Sequence, residues 1–210
     1  MAFTPIDEAH WERREYLDFF KTTAIYMTVE MDITALYRGI KARGLRLYPA
    51  LIWCAAKTIN GHGEFLYGRD EQGNIGVWDM VHPYYTVPRQ DNPELFSMKC
   101  TTFSADFEAF YEAFLRDYAQ AEHCGRLLCD KELPPNICGI TATPGTRFSS
   151  FSFGGEPKED FTPFTLYGRF RQEGERVFLP VSGEFSHAVN DGVHVSRFFS
   201  ALERNMDQLF

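Results

Sequence analysis

Cysteine is scarce in this sequence, positive charge is outnumbered, and long apolar runs are missing. The five cysteines of the 210-residue chain are scattered and form no C-x-x-C pair, so we expect mostly buried thiols rather than a disulfide framework or a zinc site. Lys and Arg number 21 against 29 Asp and Glu, a formal net charge of −8, which argues against a nucleic-acid partner. No stretch approaches the roughly 18 to 20 apolar residues of a membrane span. Residues 1–16 also lack the basic end and apolar run of a signal peptide, so we expect a cytoplasmic protein.

The apolar content is high enough for a substantial core. The chain is 44% hydrophobic and 16% aromatic, which excludes a disordered or fibrous protein, and we expect a single domain over residues 1–210. Apolar spacing predicts helices near 8–20, 33–43, 49–60, 104–118 and 193–210. Strand-type patterns occupy 22–29, 139–143, 147–153, 164–172 and 176–189, and a hairpin is predicted over 65–81. These elements predict an α/β protein of the two-layer α+β kind, with a mixed β-sheet flanked by helices.

The most informative segment is F-S-H-A-V-N-D-G-V-H-V-S-R-F at 185–198. His187 shares the strand parity of Val181 and Phe185, so its ring is expected on the apolar face, where desolvation disfavours the charged imidazole and keeps it available as a base. Asp191 lies in the turn that follows. Two other interpretations stay open for these residues taken alone: a structural core histidine, or a metal cluster with His194.

The same segment is similar to the H-x-x-x-D-G signature of the chloramphenicol acetyltransferase family, which dihydrolipoyl acyltransferase catalytic domains share. Further segments resemble the first family in order and spacing: W-E-R-R-E at 11–15, D-I-T-A-L at 32–36, L-Y-P-A at 47–50, V-W-D-M-V-H-P at 77–83, T-V at 86–87 and F-R-Q-E-G-E-R-V-F-L-P at 170–180. The resemblance covers essentially the whole chain.

This resemblance implies a homotrimer with active sites between subunits and acetyl-CoA as the acetyl donor. We expect no metal, because the other histidines show no recognisable ligand spacing. By the same resemblance His187 is the general base that takes the proton of the acceptor hydroxyl. Thr141 stands where the family has a serine whose hydroxyl stabilises the oxyanion. The resemblance further implies a salt bridge between Asp191 and Arg13 of the opening helix, to which we assign a structural role.

The resemblance also assigns the ligand-binding residues. Arg46 and Arg169 take the positions of two cofactor-side lysines, Phe170 that of a tyrosine near the cofactor, and Gly145 that of a tryptophan. The residues matching the acceptor pocket are aromatic or apolar: Phe20, which replaces a tyrosine, Phe96, Phe151, Phe153, and Leu166, which replaces a threonine.

The function expected from this match is acetyl-CoA-dependent O-acetylation of chloramphenicol type, that is, antibiotic inactivation. An acyltransferase for another small alcohol or amine is the alternative favoured by Leu166, Phe20 and Gly145. A trimer that binds a small apolar ligand without turning it over, and a dihydrolipoyl-type transferase core, are the remaining alternatives.

Overall fold

The computed structural model describes residues 2–153 and 161–210. Within them the helices are α1 (Arg14–Phe20), α2 (Thr34–Arg43), α3 (Leu47–Asn60), α4 (Phe107–Glu122) and α5 (Gly192–Asp207). The strands are β1 (Phe3–Pro5), β2 (Ala24–Asp32), β3 (Tyr67–Arg69), β4 (Ile75–Trp78), β5 (His82–Pro88), β6 (Phe96–Cys100), β7 (Ile137–Ala142), β8 (Phe164–Tyr167), β9 (Arg171–Glu173) and β10 (Arg176–Ser186). None of the described helices is long and apolar enough to cross a membrane.

The large sheet has the strand order β2-β10-β8-β7-β5-β6, with β9 beside β10. Strand β7 runs parallel to β5 and β8, whereas the other pairs are antiparallel, so the predicted mixed sheet is confirmed. A smaller sheet, β1-β4-β3, contains the predicted hairpin. Gly73 has a φ of 84° in the turn between β3 and β4, a conformation that a side chain would strain.

The core lies between the large sheet and helices α2 to α5. Along β10, alternate residues Val177, Leu179, Val181 and Phe185 are buried at 2% exposure or less, as the period of a strand requires. Helix α3 is buried on nearly all sides because it packs against α4 and α5 as well as the sheet, and this explains its almost unbroken apolar sequence.

Two predicted elements were partly or wholly wrong. Helix α1 starts at Arg14 and not near residue 8, because Asp7 closes a turn in which its carboxylate accepts from the N–H of Ala9. Residues 147–153 are irregular despite their alternating pattern. Their carbonyls are bonded by side chains instead of a strand ladder: Ser182 donates to Phe151 O at 3.1 Å, and Tyr26 donates to Phe153 O at 3.0 Å.

Other boundaries also differ from the prediction. The segment 164–172 divides into β8 and β9, since the N–H of Arg169 leaves the sheet to donate to Thr146 O. The last long strand ends at Ser186 and not at residue 189. Strands β1, β5 and β6 were not predicted.

The cysteines follow the prediction only in part. Cys54 and Cys138 are buried and Cys100 is half-buried, and burial raises the pKa of both Cys54 and Cys100 to about 12, so these two are unreactive thiols. Cys124 and Cys129 form a disulfide, which corrects the expectation of free thiols. The bond is possible because Gly125, with a φ of 72°, turns the chain back just after α4 ends.

Candidate active site

His187 lies one residue beyond the end of β10, in a tight turn. Its N–H donates to Thr23 O at 2.9 Å, and Ser186 O accepts from the N–H groups of Val189 and Asn190. The ring Nδ1 is 3.1 Å from Asn190 O. Because a carbonyl oxygen only accepts, this contact places the proton of a neutral ring on Nδ1 and leaves the lone pair on Nε2.

The ring of His187 is stacked on a phenylalanine rather than enclosed in the core. Phe20, at the end of α1, lies parallel to it with a centroid distance of 3.8 Å and an interplanar angle of 14°. In the single chain 26% of the His187 side chain stays exposed. The full desolvation expected from strand parity is therefore not reached, because the pleat of β10 ends at Ser186 and no longer directs residue 187.

The predicted ion pair behind this turn is present. The Arg13 guanidinium donates to both carboxylate oxygens of Asp191, at 3.0 and 3.2 Å, and to Ala188 O at 3.2 Å. Arg13 thereby lowers the pKa of Asp191 and ties the start of α5 and the His187 turn to the segment before α1.

His194 serves the beginning of α5. Its Nδ1 accepts from the N–H of Asp191 at 2.9 Å, so this ring satisfies a backbone donor that the first turn of the helix leaves unpaired. Within residues 2–153 and 161–210, no group of three or more His, Cys, Asp or Glu is placed to hold a metal ion.

A cleft of about 800 Å³ opens beside β5, β6, β7 and β8. Its walls are mainly apolar and aromatic, a composition suited to a small apolar ligand. Seven predicted site residues line it: Thr141, Phe96, Phe151, Phe153, Leu166, Arg169 and Phe170.

One row of side chains crosses the sheet at this cleft. The strand registers place Met98 beside Thr86, Thr141 beside Leu166, and Leu166 beside Ser182. The Thr86 and Thr141 hydroxyl oxygens are 2.8 Å apart. Thr86 was not predicted as a site residue from the sequence. Its partner comes from a strand 55 residues away, and no local pattern indicates their contact.

The remaining predicted residues do not line the cleft. His187, Phe20, Asp191 and Arg13 form a separate cluster, which we call the histidine cluster. Arg46, at the N-cap of α3, is exposed. Its charge opposes the rise in pKa that burial causes at Tyr118, a cleft residue. In one chain, therefore, the candidate base and the cleft are apart.

The positive groups near the cleft suit an anionic ligand. Arg169 lines the cleft and is exposed, and Arg46, which lies near the cleft, is exposed too. Among the described residues, neither guanidinium forms a salt bridge with a carboxylate. A Cβ at Gly145 would meet open space, so this position lacks the packing surface that a tryptophan would provide there.

Comparison with known proteins gives a consistent result. The family model described as chloramphenicol acetyltransferase matches residues 1–203. The chain is 36% identical to a chloramphenicol acetyltransferase of Campylobacter coli, over 97% of this chain and 98% of the relative. It is 30% identical to one of Staphylococcus aureus, over 99% and 97% respectively.

Solved structures give the same fold. A chloramphenicol acetyltransferase superposes with a TM-score of 0.82 at 20% identity, covering 98% of this chain and all of the other. The dihydrolipoamide acetyltransferase of Azotobacter vinelandii gives 0.70 at 15% identity, covering 100% and 98%. At such identities the likeness shows the shared fold, and it confirms the predicted fold class.

Proposed function

The chain belongs to the chloramphenicol acetyltransferase family, an acyltransferase family, and on that premise we propose that it moves acetyl from acetyl-CoA to a hydroxyl of a small apolar acceptor. Chloramphenicol is the first acceptor to test, and its acetylation would inactivate the antibiotic. The observation that carries the proposal is the His187 ring, held at Nδ1 by a main-chain carbonyl so that Nε2 is free to take a proton.

In this mechanism His187 acts as the general base. Its Nε2 takes the proton of the acceptor hydroxyl as the oxygen attacks the thioester carbonyl, and it later returns that proton to the departing sulfur. The Phe20 ring stacked on the imidazole and the bond to Asn190 O fix the ring plane during both transfers. Positioned proton transfer of this kind contributes about 100- to 10,000-fold in rate.

Thr141 is assigned to the oxyanion. Its hydroxyl lies at the mainly apolar cleft, where a single donor contributes about 3 to 4 kcal/mol to the stability of the transition state. Arg13 acts through the turn that carries His187, whereas the Asp191 carboxylate also lies 3.5 Å from His187 Nδ1, on the side of the ring away from Nε2.

The distance between base and cleft supports a site shared by two chains. Thr141 is two strands from β10, in the row of Ser182, and His187 comes five positions after Ser182, one residue beyond the end of β10. With about 3.3 Å per residue and 4.8 Å between strands, the Cα atoms of the two residues are roughly 19 Å apart, more than the two side chains can span. Since a reacting centre must lie near 3 Å from both groups, we propose a homotrimer in which one chain supplies His187 and its neighbour the cleft.

The acetyl donor supplies the activated thioester, and we assign its binding to the cationic side of the cleft. Arg169 and Arg46 fit the phosphate groups because guanidinium binds phosphate through paired hydrogen bonds. Phe170, 37% exposed, lies beside Arg169 and offers a surface for the rest of the donor.

The acceptor is assigned to the aromatic side, formed by Phe96, Phe151 and Phe153 together with the buried Leu166. Leu166 favours a second candidate function, acylation of a different small alcohol or amine, because it offers no hydrogen bond where the family has a threonine. A panel of acceptors with acetyl-CoA, including chloramphenicol and dihydrolipoamide, separates the two by their kcat/KM values.

Subunit mixing tests the mechanism and the shared site together. His187→Ala and Thr141→Val are each expected to lower acetyl transfer, measured as CoA thiol released, by at least about 100-fold. After joint refolding at equal amounts, about a quarter of the sites in a cyclic trimer combine an intact His187 with an intact Thr141 and recover activity.

Full activity of the His187→Ala protein alone would refute the role of His187 as the base. No recovery on mixing would refute the shared site. Ligand affinity without acetyl-CoA binding would favour a non-catalytic protein.

A further inference from the structure

Thr141 has one polar neighbour in its row of the sheet. On the β8 side it faces Leu166, and on the β5 side it faces Thr86, which is itself flanked by Met98. The two hydroxyl oxygens are 2.8 Å apart, and the hydrogen bonds of the described residues give each of these hydroxyls the other as its partner. The pair is therefore an isolated unit of two hydroxyls between apolar side chains at the cleft.

The proton count of this unit decides what Thr141 can do. Each threonine hydroxyl has one proton to donate. If Thr141 donates to Thr86, it has none left for an oxyanion; if Thr86 donates, the Thr141 proton is free to point into the cleft. Only the second arrangement is compatible with the role proposed for Thr141.

The backbone of Thr86 is well anchored for such a task. Its carbonyl accepts from the Tyr48 hydroxyl at 3.2 Å, which links this part of β5 to α3. Strand β5 is also paired on both sides, with β6 and β7. A donor fixed in this way is pre-organised, so the Thr86 hydroxyl loses little freedom when negative charge develops on the oxyanion beside Thr141.

We propose that Thr86 is a positioning residue: its hydroxyl donates to Thr141 Oγ1 and thereby directs the Thr141 proton toward the cleft. This inference rests on the proposed function, since it needs Thr141 as the oxyanion donor. A hydrogen bond received by Thr141 also makes its own proton a better donor, because chains of hydrogen bonds polarise one another.

The test is a double-mutant cycle measured as kcat and KM for both substrates. Thr86→Val keeps the side-chain shape and removes the hydroxyl; it is expected to lower kcat about 5- to 10-fold with both KM values nearly unchanged. Thr86→Ser keeps the hydroxyl and is expected to stay within about twofold of the parent. Thr165→Val is the matched control, since this buried threonine belongs to the same sheet and its hydroxyl has no hydrogen-bond partner among the described residues.

Thr141→Val is expected to lower kcat by about 100-fold, and the double variant should be no slower than Thr141→Val alone, because Thr86 acts through Thr141. Unchanged kcat in Thr86→Val, or effects that multiply to about 500-fold or more in the double variant, would overturn the proposal and leave the proposed function intact. Unchanged kcat in Thr141→Val would instead remove the oxyanion role on which both depend.

Discussion

Replacing Arg13 by methionine tests what holds the His187 turn in place. The Arg13 side chain is 12% exposed, and its guanidinium makes two hydrogen bonds to Asp191 and one to Ala188 O. Methionine retains an unbranched apolar stem but no donor, so the carboxylate and the carbonyl both lose the hydrogen bonds that Arg13 donates. The Asp191 side chain is 32% exposed, and water can therefore compensate part of the loss.

The magnitude lies between two limits. Removing one partner of a fully buried pair costs about 3 to 5 kcal/mol, and exposed pairs are worth about 1 kcal/mol or less. With one partner nearly buried and the other a third exposed, we expect Arg13→Met to lower the free energy of unfolding by about 2 kcal/mol. We also expect a lower kcat, because Ala188 and Asp191 flank the turn that carries the base.

Urea unfolding of the parent, Arg13→Met, Asp191→Asn and the double variant, at one fixed protein concentration, measures the coupling. Arg14→Met is the matched control: Arg14 is 46% exposed and pairs with Glu8 and Asp18 at the surface, so its loss should cost about 0.5 kcal/mol. A coupling energy between Arg13 and Asp191 below about 0.3 kcal/mol would refute the structural role.

The pH dependence gives an independent check. Because Arg13 lowers the pKa of Asp191 in the folded chain, the pair contributes its full stability above the unfolded-state pKa of about 3.9. That contribution is lost as the pH falls through the lower folded-state pKa. The penalty of Arg13→Met should therefore shrink below pH 4, and an equal penalty at pH 7 and in acid would contradict the assignment.

Three further changes have defined outcomes. Leu166→Thr removes apolar volume at a residue that is 1% exposed, and urea unfolding should show a free energy of unfolding lower by about 2 kcal/mol. The same change should alter the ratio of kcat/KM values between polar and apolar acceptors. An unchanged ratio would show that Leu166 does not contact the acceptor. Cys129→Ser opens the six-residue Cys124–Cys129 loop at a cost of about 2 kcal/mol, and a reductant should destabilise the parent equally and the variant not at all. Arg169→Glu should raise KM for acetyl-CoA about tenfold and leave the acceptor KM unchanged, and the reverse pattern would place Arg169 with the acceptor.

Periodicity predicted the elements that bury one face along their whole length. Helix α5 and strand β10 are examples, since Phe198 and Leu202 keep helical spacing and Val181 and Phe185 keep strand spacing, all four buried. The signal failed at 147–153, where alternation is present but the backbone acceptors are taken by side chains from β2 and β10. Such competition depends on distant partners and leaves no local trace in the sequence.

In the candidate site, too, contacts between residues close in sequence could be predicted from local patterns and contacts between distant residues could not. His187, Asp191 and His194 come within eight residues of each other, so their association is visible as a motif. The Arg13–Asp191 pair joins positions 178 apart, and only the family resemblance predicted it. The Thr86–Thr141 bond depends on the parallel pairing of β5 with β7, which neither local pattern nor resemblance supplied.

Sequence spacing also gave no measure of the distance between His187 and Thr141 within one chain. Strand register supplies it, because four residues along β10, the residue that follows them and two strand spacings put about 19 Å between the two Cα atoms. Rotation of the histidine ring does not span that gap. The argument for a shared site thus depends on the registers of β10 with β8 and of β8 with β7. An intrachain approach of these two residues to hydrogen-bonding range in solution would contradict it.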